Sequence, residues 1–308
     1  MITGLHHLTA TVDQARPDLD FYVGLLGLRL VKKTVNFDNH FVYHFYYGDG
    51  LGHPSTIMTT FPYHGWGVAP GVRGAGQVTV TNFSVPEGSL PFWRDRLTAA
   101  GVTTQPGADR FGAQSIRCSD PSGLIIELRA EPADPRQPWT GEAIPGEVAI
   151  RGLASPILSV RRPEETTDFL KSTLGFRLEA KEPGRYLMAA GAGGPGHRLE
   201  VHAADEAPDG VNGIGTVHHV ALAIATGDEQ AALRDQLVAS GRAVTRVLDR
   251  NYFQSIYFRE PGGVLLEVAT TGPGFAVDED PDRLGTALKL PAWEEENRPE
   301  IERRLPPI

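Results

Sequence analysis

Sulfur is scarce in this chain, with one cysteine, Cys118, and three methionines among 308 residues. A lone cysteine excludes an internal disulfide and fits a reducing compartment. No apolar run approaches the roughly 20 residues that a membrane-spanning helix requires. Met1-Ile2-Thr3-Gly4 runs straight into a strand pattern, without the basic and apolar stretches of a secretory leader, so a cytoplasmic location is expected. Positive charge is not in excess either. The net charge of −9 argues against nucleic acid or an anionic membrane as partner. The length predicts about two domains of ~150 residues each. The 35 glycines and 24 prolines predict many turns between short elements.

What the chain has in abundance is internal repetition. Gly4-Leu5-His6-His7-Leu8-Thr9-Ala10 aligns with Gly152-Leu153-Ala154-Ser155-Pro156-Ile157-Leu158. Phe21 to Leu30 aligns with Phe169 to Leu178 through a shared Leu-Gly-x-Arg-Leu ending. Asp109-Arg110 to Ile116 matches Asp249-Arg250 to Ile256, and Asp120 to Glu127 matches Glu260 to Glu267. The pattern is A-B-A′-B′, four related units. Each reads as a strand, a helix and three strands, a βαβββ module, with helical spacing over Asp13 to Leu26 and Asp228 to Ser240. Asp13 is a candidate cap, and Gly27 and Gly241 are candidate stops. The expected fold is α+β, four βαβββ modules forming two paired-module domains with curved sheets. Boundaries are placed at 1–130 for the N-terminal domain, 131–149 for a Pro-rich linker, 150–271 for the C-terminal domain and 272–308 for a tail.

One phrase occurs twice, as Leu5-His6-His7-Leu8 and as Val217-His218-His219-Val220, and Glu267 ends the matching fourth unit. Two histidines and one carboxylate are the donor set of a mononuclear non-haem iron site with open positions. Successive residues of a strand face opposite ways. His7, Thr9 and Thr11 share one face, and so do His219, Ala221 and Ala223. His6 and His218 alternate with them, on faces rich in Leu, Val and Ile. The second histidine of each pair is therefore the better ligand. The alignment sets Ser155 opposite His7, Gln77 opposite His219, Glu127 opposite Glu267 and Met58 opposite Glu200. One complete triad and one decayed one are expected. Arg250 has the twin Arg110, and Tyr257 has Arg117.

These phrases resemble the vicinal-oxygen-chelate superfamily, also called the glyoxalase/bleomycin-resistance/extradiol-dioxygenase fold. Gly4-Leu5-His6-His7-Leu8-Thr9, together with Gly27-Leu28-Arg29-Leu30 running on to Phe37-Asp38, is similar to the bacterial hydroquinone-type ring-cleaving dioxygenases. The resemblance spans essentially the whole chain. It implies His7, His219 and Glu267 as ligands of Fe(II), with Mn(II) suited to the same donors. It also implies Arg250, Tyr257, His218, His6 and Thr9 around a small aromatic substrate and O2. The reaction implied is insertion of both oxygen atoms into a para-diphenol ring. Arg250 would stabilise negative charge, Tyr257 would donate a hydrogen bond, and His218 would act as acid or base. Self-association is expected of paired modules with sheet edges.

Two other functions share the fold. A glyoxalase-like lyase or isomerase would use four ligands, and the position of Glu200 in the first module carries Met58 instead. A non-catalytic binder of aromatics or quinones would not need the triad. His40, His44, His53, His64, His197 and His202 have no repeat-supported partner and are read as structural. Gly191 to Gly196 is not a phosphate loop, since it lies between strand patterns. The acidic runs Asp278 to Asp282 and Glu294 to Glu296 are read as solvated surface.

Overall fold

The computed structural model describes residues 1–141 and 144–308; Glu142 and Ala143, inside the expected linker, lie outside the described residues. The first module runs β1 (Gly4–Val12), α1 (Ala15–Leu19), β2 (Arg29–Asn36), β3 (Asn39–Gly48) and β4 (Ile57–Pro62). The second is β5 (Gln77–Val85), α2 (Leu90–Ala99), β6 (Gln105–Pro106), β7 (Ser115–Ser119) and β8 (Ile125–Ala130). After the short β9 (Gly152–Leu153), the third is β10 (Ile157–Val160), α3 (Pro163–Ser172), β11 (Arg177–Glu182), β12 (Arg185–Ala189) and β13 (Arg198–Ala203). The fourth is β14 (Thr216–Ile224), α4 (Gly227–Ala239), β15 (Leu248–Asp249), β16 (Gln254–Arg259) and β17 (Leu265–Thr270). The α+β class and the four modules are as the repeats imply.

The modules do not pair in chain order. One sheet has strand order β15-β16-β17-β14-β1-β4-β3-β2, joining the fourth module to the first. The other runs β11-β12-β13-β10-β5-β8-β7-β6, joining the third to the second. Each curved sheet thus draws on both halves of the chain, and the seam of the first is the antiparallel pair β1 and β14. Leu8, Ala10 and Val12 of β1 and Val220, Leu222 and Ile224 of β14 are fully buried. Each large aliphatic among them contributes about 1.5–3 kcal/mol by leaving water. The other face of the same strands is left to line a cup.

Local chemistry refines the helix ends. The helix expected over Asp13 to Leu26 starts at Ala15 after an extended Gln14, not under an Asp13 cap. Asp13 is occupied elsewhere, in a hydrogen bond with the His64 ring at 2.8 Å. After Leu19 the helix widens, with the Leu26 N–H donating to Phe21 five residues back, and Gly27 ends it at φ +72°. In the fourth module the cap is Thr226, whose hydroxyl accepts from the Glu229 N–H at 3.2 Å.

The tail departs most from expectation. Asp278 and Glu279 are not simply solvated, because they clamp the fully buried ammonium of Lys32 at 2.6 and 2.5 Å. Glu294 likewise pairs with His40 at 3.1 Å. Trp293 packs edge-on against Phe37, at the end of the β2–β3 hairpin. The tail therefore braces the hairpin that walls the cup.

Candidate metal centre

The triad assembles at the seam of the first sheet. His7 on β1 pairs with Ala221 on β14, which pairs in turn with Glu267 on β17. The three side chains are buried and converge. Glu267 Oε2 lies 2.8 Å from His219 Nε2 and 3.3 Å from His7 Nε2, and the two Nε2 atoms are 3.3 Å apart. Three donors at right angles about one ion, with bonds of ~2.1 Å, sit roughly 3.0 Å from one another. The observed spacings are those of a facial triad. Oε2 is buried and has no hydrogen-bond partner, whereas Oε1 accepts from the Ser255 hydroxyl. A buried orphan carboxylate oxygen aimed at two imidazole nitrogens fits a divalent ion.

The first histidine of each pair does not face away, and β-bulges are the reason. Along the β1–β14 ladder, Leu5 pairs with Leu222 and His7 with Ala221, so His6 is the unpaired extra residue. Thr9 pairs with His219 and Ala10 with Val217, so His218 is the extra residue on the other strand. A bulge breaks strict alternation and re-aims a side chain. His6 Nδ1 lies 2.9 Å from His7 Nδ1, and His218 Nδ1 lies 2.7 Å from His219 Nδ1. Burial, with the neighbouring His7, lowers the His6 pKa to about 3, and burial with His219 does the same for His218. Both rings are therefore neutral, and each can accept the Nδ1–H of its partner. That arrangement leaves Nε2 of His7 and His219 bare for a metal.

Charge at the centre is balanced by the same contacts. Burial alone would raise the Glu267 carboxyl, but His7 and His219 outweigh it and hold the group well below the usual carboxylate range. Burial lowers the His219 pKa, with Glu267 opposing.

A cavity of about 510 Å³ opens beside the triad. Phe37, His44, Tyr46, Phe61, Tyr63, Val68, Leu248 and Leu265 contribute to its walls. Of the residues the resemblance implied, Thr9, His218, Arg250 and Tyr257 line it, whereas His6 lies behind His7 with its ring on Phe253 at 4.8 Å. Arg250 Nε donates to the Tyr257 hydroxyl at 3.3 Å, and its Nη2 meets Asp38 at 3.2 Å. Burial opposes the Arg250 charge, but Tyr257 and Asp38 outweigh it and the guanidinium stays protonated. Burial, reinforced by Glu267, pushes the Tyr257 hydroxyl far up, so it is a donor. Thr9 accepts from the Thr59 hydroxyl at 2.8 Å, and Thr59 lies 2.9 Å from His44 Nε2. His44, read as structural for want of a repeat partner, belongs to this wall. Asn36, whose amide donates to the Tyr63 hydroxyl at 2.9 Å, and Asp38 were also missed, because no motif marks a hairpin tip.

The second sheet holds the decayed copy, and its registers correct the alignment. Ile157 pairs with Val80 as Thr9 pairs with His219, so Val80 rather than Gln77 stands opposite His219. Ile157 pairs with Glu200 as Thr9 pairs with Thr59, so Thr59 rather than Met58 stands opposite Glu200. Shifts at the bulges, invisible in sequence, account for both. Where the first cup gathers donors, the second holds a guanidinium. Arg110 donates from Nε to Glu200 at 2.6 Å and from its terminal nitrogens to Glu127. Arg117 Nε donates to Glu127 at 2.6 Å, Arg129 reaches Glu200 at 2.5 Å, and the Ser155 hydroxyl donates to Glu200 at 2.9 Å. An arginine serves as the buried cation between two carboxylates.

Comparison with known proteins finds similar chains. Residues 4–128 and 152–268 match the Glyoxalase/Bleomycin resistance protein/Dioxygenase superfamily. The chain is 37% identical over 297 residues to the chlorohydroquinone/hydroquinone 1,2-dioxygenase of Sphingobium indicum, covering 94% of this chain and 91% of that one. It is 40% identical over 305 residues to MhqO of Bacillus subtilis strain 168, whose name as a ring-cleaving dioxygenase is provisional, covering 99% and 96%. A Bacillus subtilis crystal structure, provisionally a dioxygenase, superposes with a TM-score of 0.94 at 39% identity, covering 100% and 97%. Glyoxalase I of Zea mays shares the fold alone, with a TM-score of 0.67 at 15% identity over 87% of this chain and 92% of that one. No helix among the described residues is long and apolar enough to cross a membrane.

Proposed function

Because the chain belongs to the glyoxalase/bleomycin resistance protein/dioxygenase superfamily, we propose that it is an Fe(II)-dependent dioxygenase that opens hydroquinone-type rings. The observation that carries this reading is the convergence of His7 Nε2, His219 Nε2 and Glu267 Oε2 on one wall of an aromatic-lined cavity. His7, His219 and Glu267 would hold the ion on one face. Bound there, Fe(II) would acidify a substrate hydroxyl and carry electrons from the ring to O2. The ring itself supplies the electrons, so no external reductant is needed.

The chain's own residues set the rest. His6 and His218 hold the ligand imidazoles in the tautomer that bares Nε2. Arg250 stays cationic and faces the negative charge that develops on substrate oxygen, worth most where water is excluded. Tyr257, a donor fixed beside Arg250, holds the same oxygen in place. Phe61 and the other aromatic walls exclude water and receive the ring.

The lyase or isomerase alternative is disfavoured by the position that would hold a fourth ligand. It carries Thr59, whose hydroxyl is already engaged with Thr9 and His44. A metal-free binder would leave the Glu267 orphan oxygen without purpose. The test is anaerobic loading with Fe(II) or Mn(II), followed by oxygen-electrode assays on hydroquinone, catechol and their substituted forms. Oxygen uptake with hydroquinone that depends on Fe(II) is the expected outcome. Binding of hydroquinone without uptake under any metal would overturn it.

A further inference from the structure

His44 was not marked by any repeat, yet its surroundings are unusual for a structural histidine. It is 9% exposed, lies on the cavity wall, and packs at a tilt against Tyr46 and Phe61 with ring centroids 4.0 and 4.3 Å away. Its Nε2 is 2.9 Å from the Thr59 hydroxyl oxygen. Thr59 gives its one hydroxyl proton to Thr9 Oγ1 at 2.8 Å, so toward His44 it can only accept. His44 Nε2 must therefore carry the hydrogen. Burial keeps the ring neutral, reinforced by His7, His219 and Arg250. A neutral imidazole protonated on Nε2 has a bare acceptor at Nδ1. That Nδ1 has no hydrogen-bond partner among the described residues. An acceptor on a cavity wall leaves a place for a donor on whatever occupies the cavity.

The position tells what would fill it. β3, which carries His44, is two strands from β1, which carries His7, with β4 between them. His44 Nε2 reaches Thr59 at 2.9 Å and Thr59 reaches Thr9 at 2.8 Å, and Thr9 stands two residues, ~7 Å, beyond His7 on the same face of β1, so the two imidazoles lie within ~12 Å of one another along the cavity. A benzene ring bearing oxygen at both ends bridges such a gap, one oxygen toward the triad and the other toward His44. An ortho-diphenol presents both oxygens at the same end and leaves Nδ1 unmet.

We propose that His44 Nδ1 accepts the hydrogen bond of the distal hydroxyl, the one para to the hydroxyl at the triad, and so selects para-diphenols. This assignment rests on the ring-cleaving reading above. Selection operates through the unmet acceptor, since a site built around a substrate hydroxyl rejects the analogue lacking it.

The test is anaerobic calorimetric titration of the Fe(II)-loaded protein with hydroquinone and with 4-methylphenol, which lacks the distal hydroxyl. Wild type should prefer hydroquinone roughly tenfold, the scale of one net hydrogen bond. In His44→Gln the amide nitrogen reaches the place of Nε2 and keeps Thr59, but the Nδ1 acceptor is gone, and the preference should fall to about one. In His44→Asn the amide oxygen stands where Nδ1 was, and the preference should survive. A preference retained in His44→Gln overturns the assignment. So does equal loss in both variants, which would mean that ring packing decides, and so does a wild type without preference. Oxygen uptake separates this from the underlying reading. A wild type with the preference but no uptake defeats the dioxygenase and leaves His44 in place. Uptake with a preference blind to both substitutions defeats His44 alone.

Discussion

Replacing Arg110 with methionine keeps most of the side chain's volume and removes the guanidinium that joins Glu127 to Glu200 in the second cup. Both carboxylates are fully buried, and Arg110 is 1% exposed. Removing one partner from a buried pair typically costs about 3–5 kcal/mol, because the remaining charge stays out of water. Here each carboxylate keeps another partner, Glu127 with Arg117 and Glu200 with Arg129 and His202. The low end of that range therefore applies. The Glu200 pKa sets an upper bound on the part of the loss that ends at that carboxyl. Burial would raise it, yet His202, Arg110 and Arg129 together hold it at about 2 rather than 4.5. That depression is worth ~3 kcal/mol in total. A loss of about 3 kcal/mol should lower Tm by roughly 5 °C in a protein of 308 residues.

The pH dependence gives a second check on the same variant. A carboxyl with a depressed folded-state pKa contributes stability above its unfolded pKa, 4.5 for Glu200, and loses it as pH falls toward about 2. The gap between wild type and Arg110→Met should therefore be full at pH 7 and shrink below pH 4.5. Urea unfolding at both pH values measures it. A gap under about 1 kcal/mol at pH 7, or one that widens in acid, refutes the buried-cation account.

Two further outcomes follow from other buried groups. Burial raises the Asp18 carboxyl to about 7, against the hydroxyls of Tyr47 and Thr60 that lie 2.6 and 2.5 Å away. A raised carboxyl pKa means the folded state holds the extra proton, so stability falls as pH rises from about 4 to 7, by roughly 4 kcal/mol from this group. Thermal melts across pH 5 to 8 should show that decline in wild type and a flatter profile in Asp18→Asn; equal slopes would contradict it. His6→Phe and His218→Phe keep ring volume but remove the Nδ1 that orients His7 or His219. Each should weaken metal affinity about 10–100-fold with the fold retained, read by competition with a chelating dye, and unchanged affinity in both would sink the orienting role.

The triad was legible because its members sit in repeated phrases, and strand alternation singled out His7 and His219 from their neighbours. The same rule misplaced His6 and His218, since a bulge is a property of two paired strands and neither strand alone records it. The offset also explains why Gln77 and Met58 were aligned where Val80 and Thr59 stand. Arg110 could be named as the twin of Arg250, but its guanidinium lies between carboxylates contributed by two different modules. Which modules share a sheet depends on edge pairing over long sequence separations, and the local patterns are the same for either pairing. The run Asp278 to Asp282 looks solvated until Lys32, about 250 positions earlier, is seen beneath it.

The most direct measurement is the metal content of protein reconstituted anaerobically with Fe(II), gel-filtered, and compared among wild type, His7→Ala, His219→Ala and Glu267→Gln. Wild type should retain one ion per chain, and each variant should lose it while its far-ultraviolet circular dichroism stays unchanged. Full iron retention in any of the three variants, or two ions in wild type, would contradict a single facial triad at the seam of the first sheet.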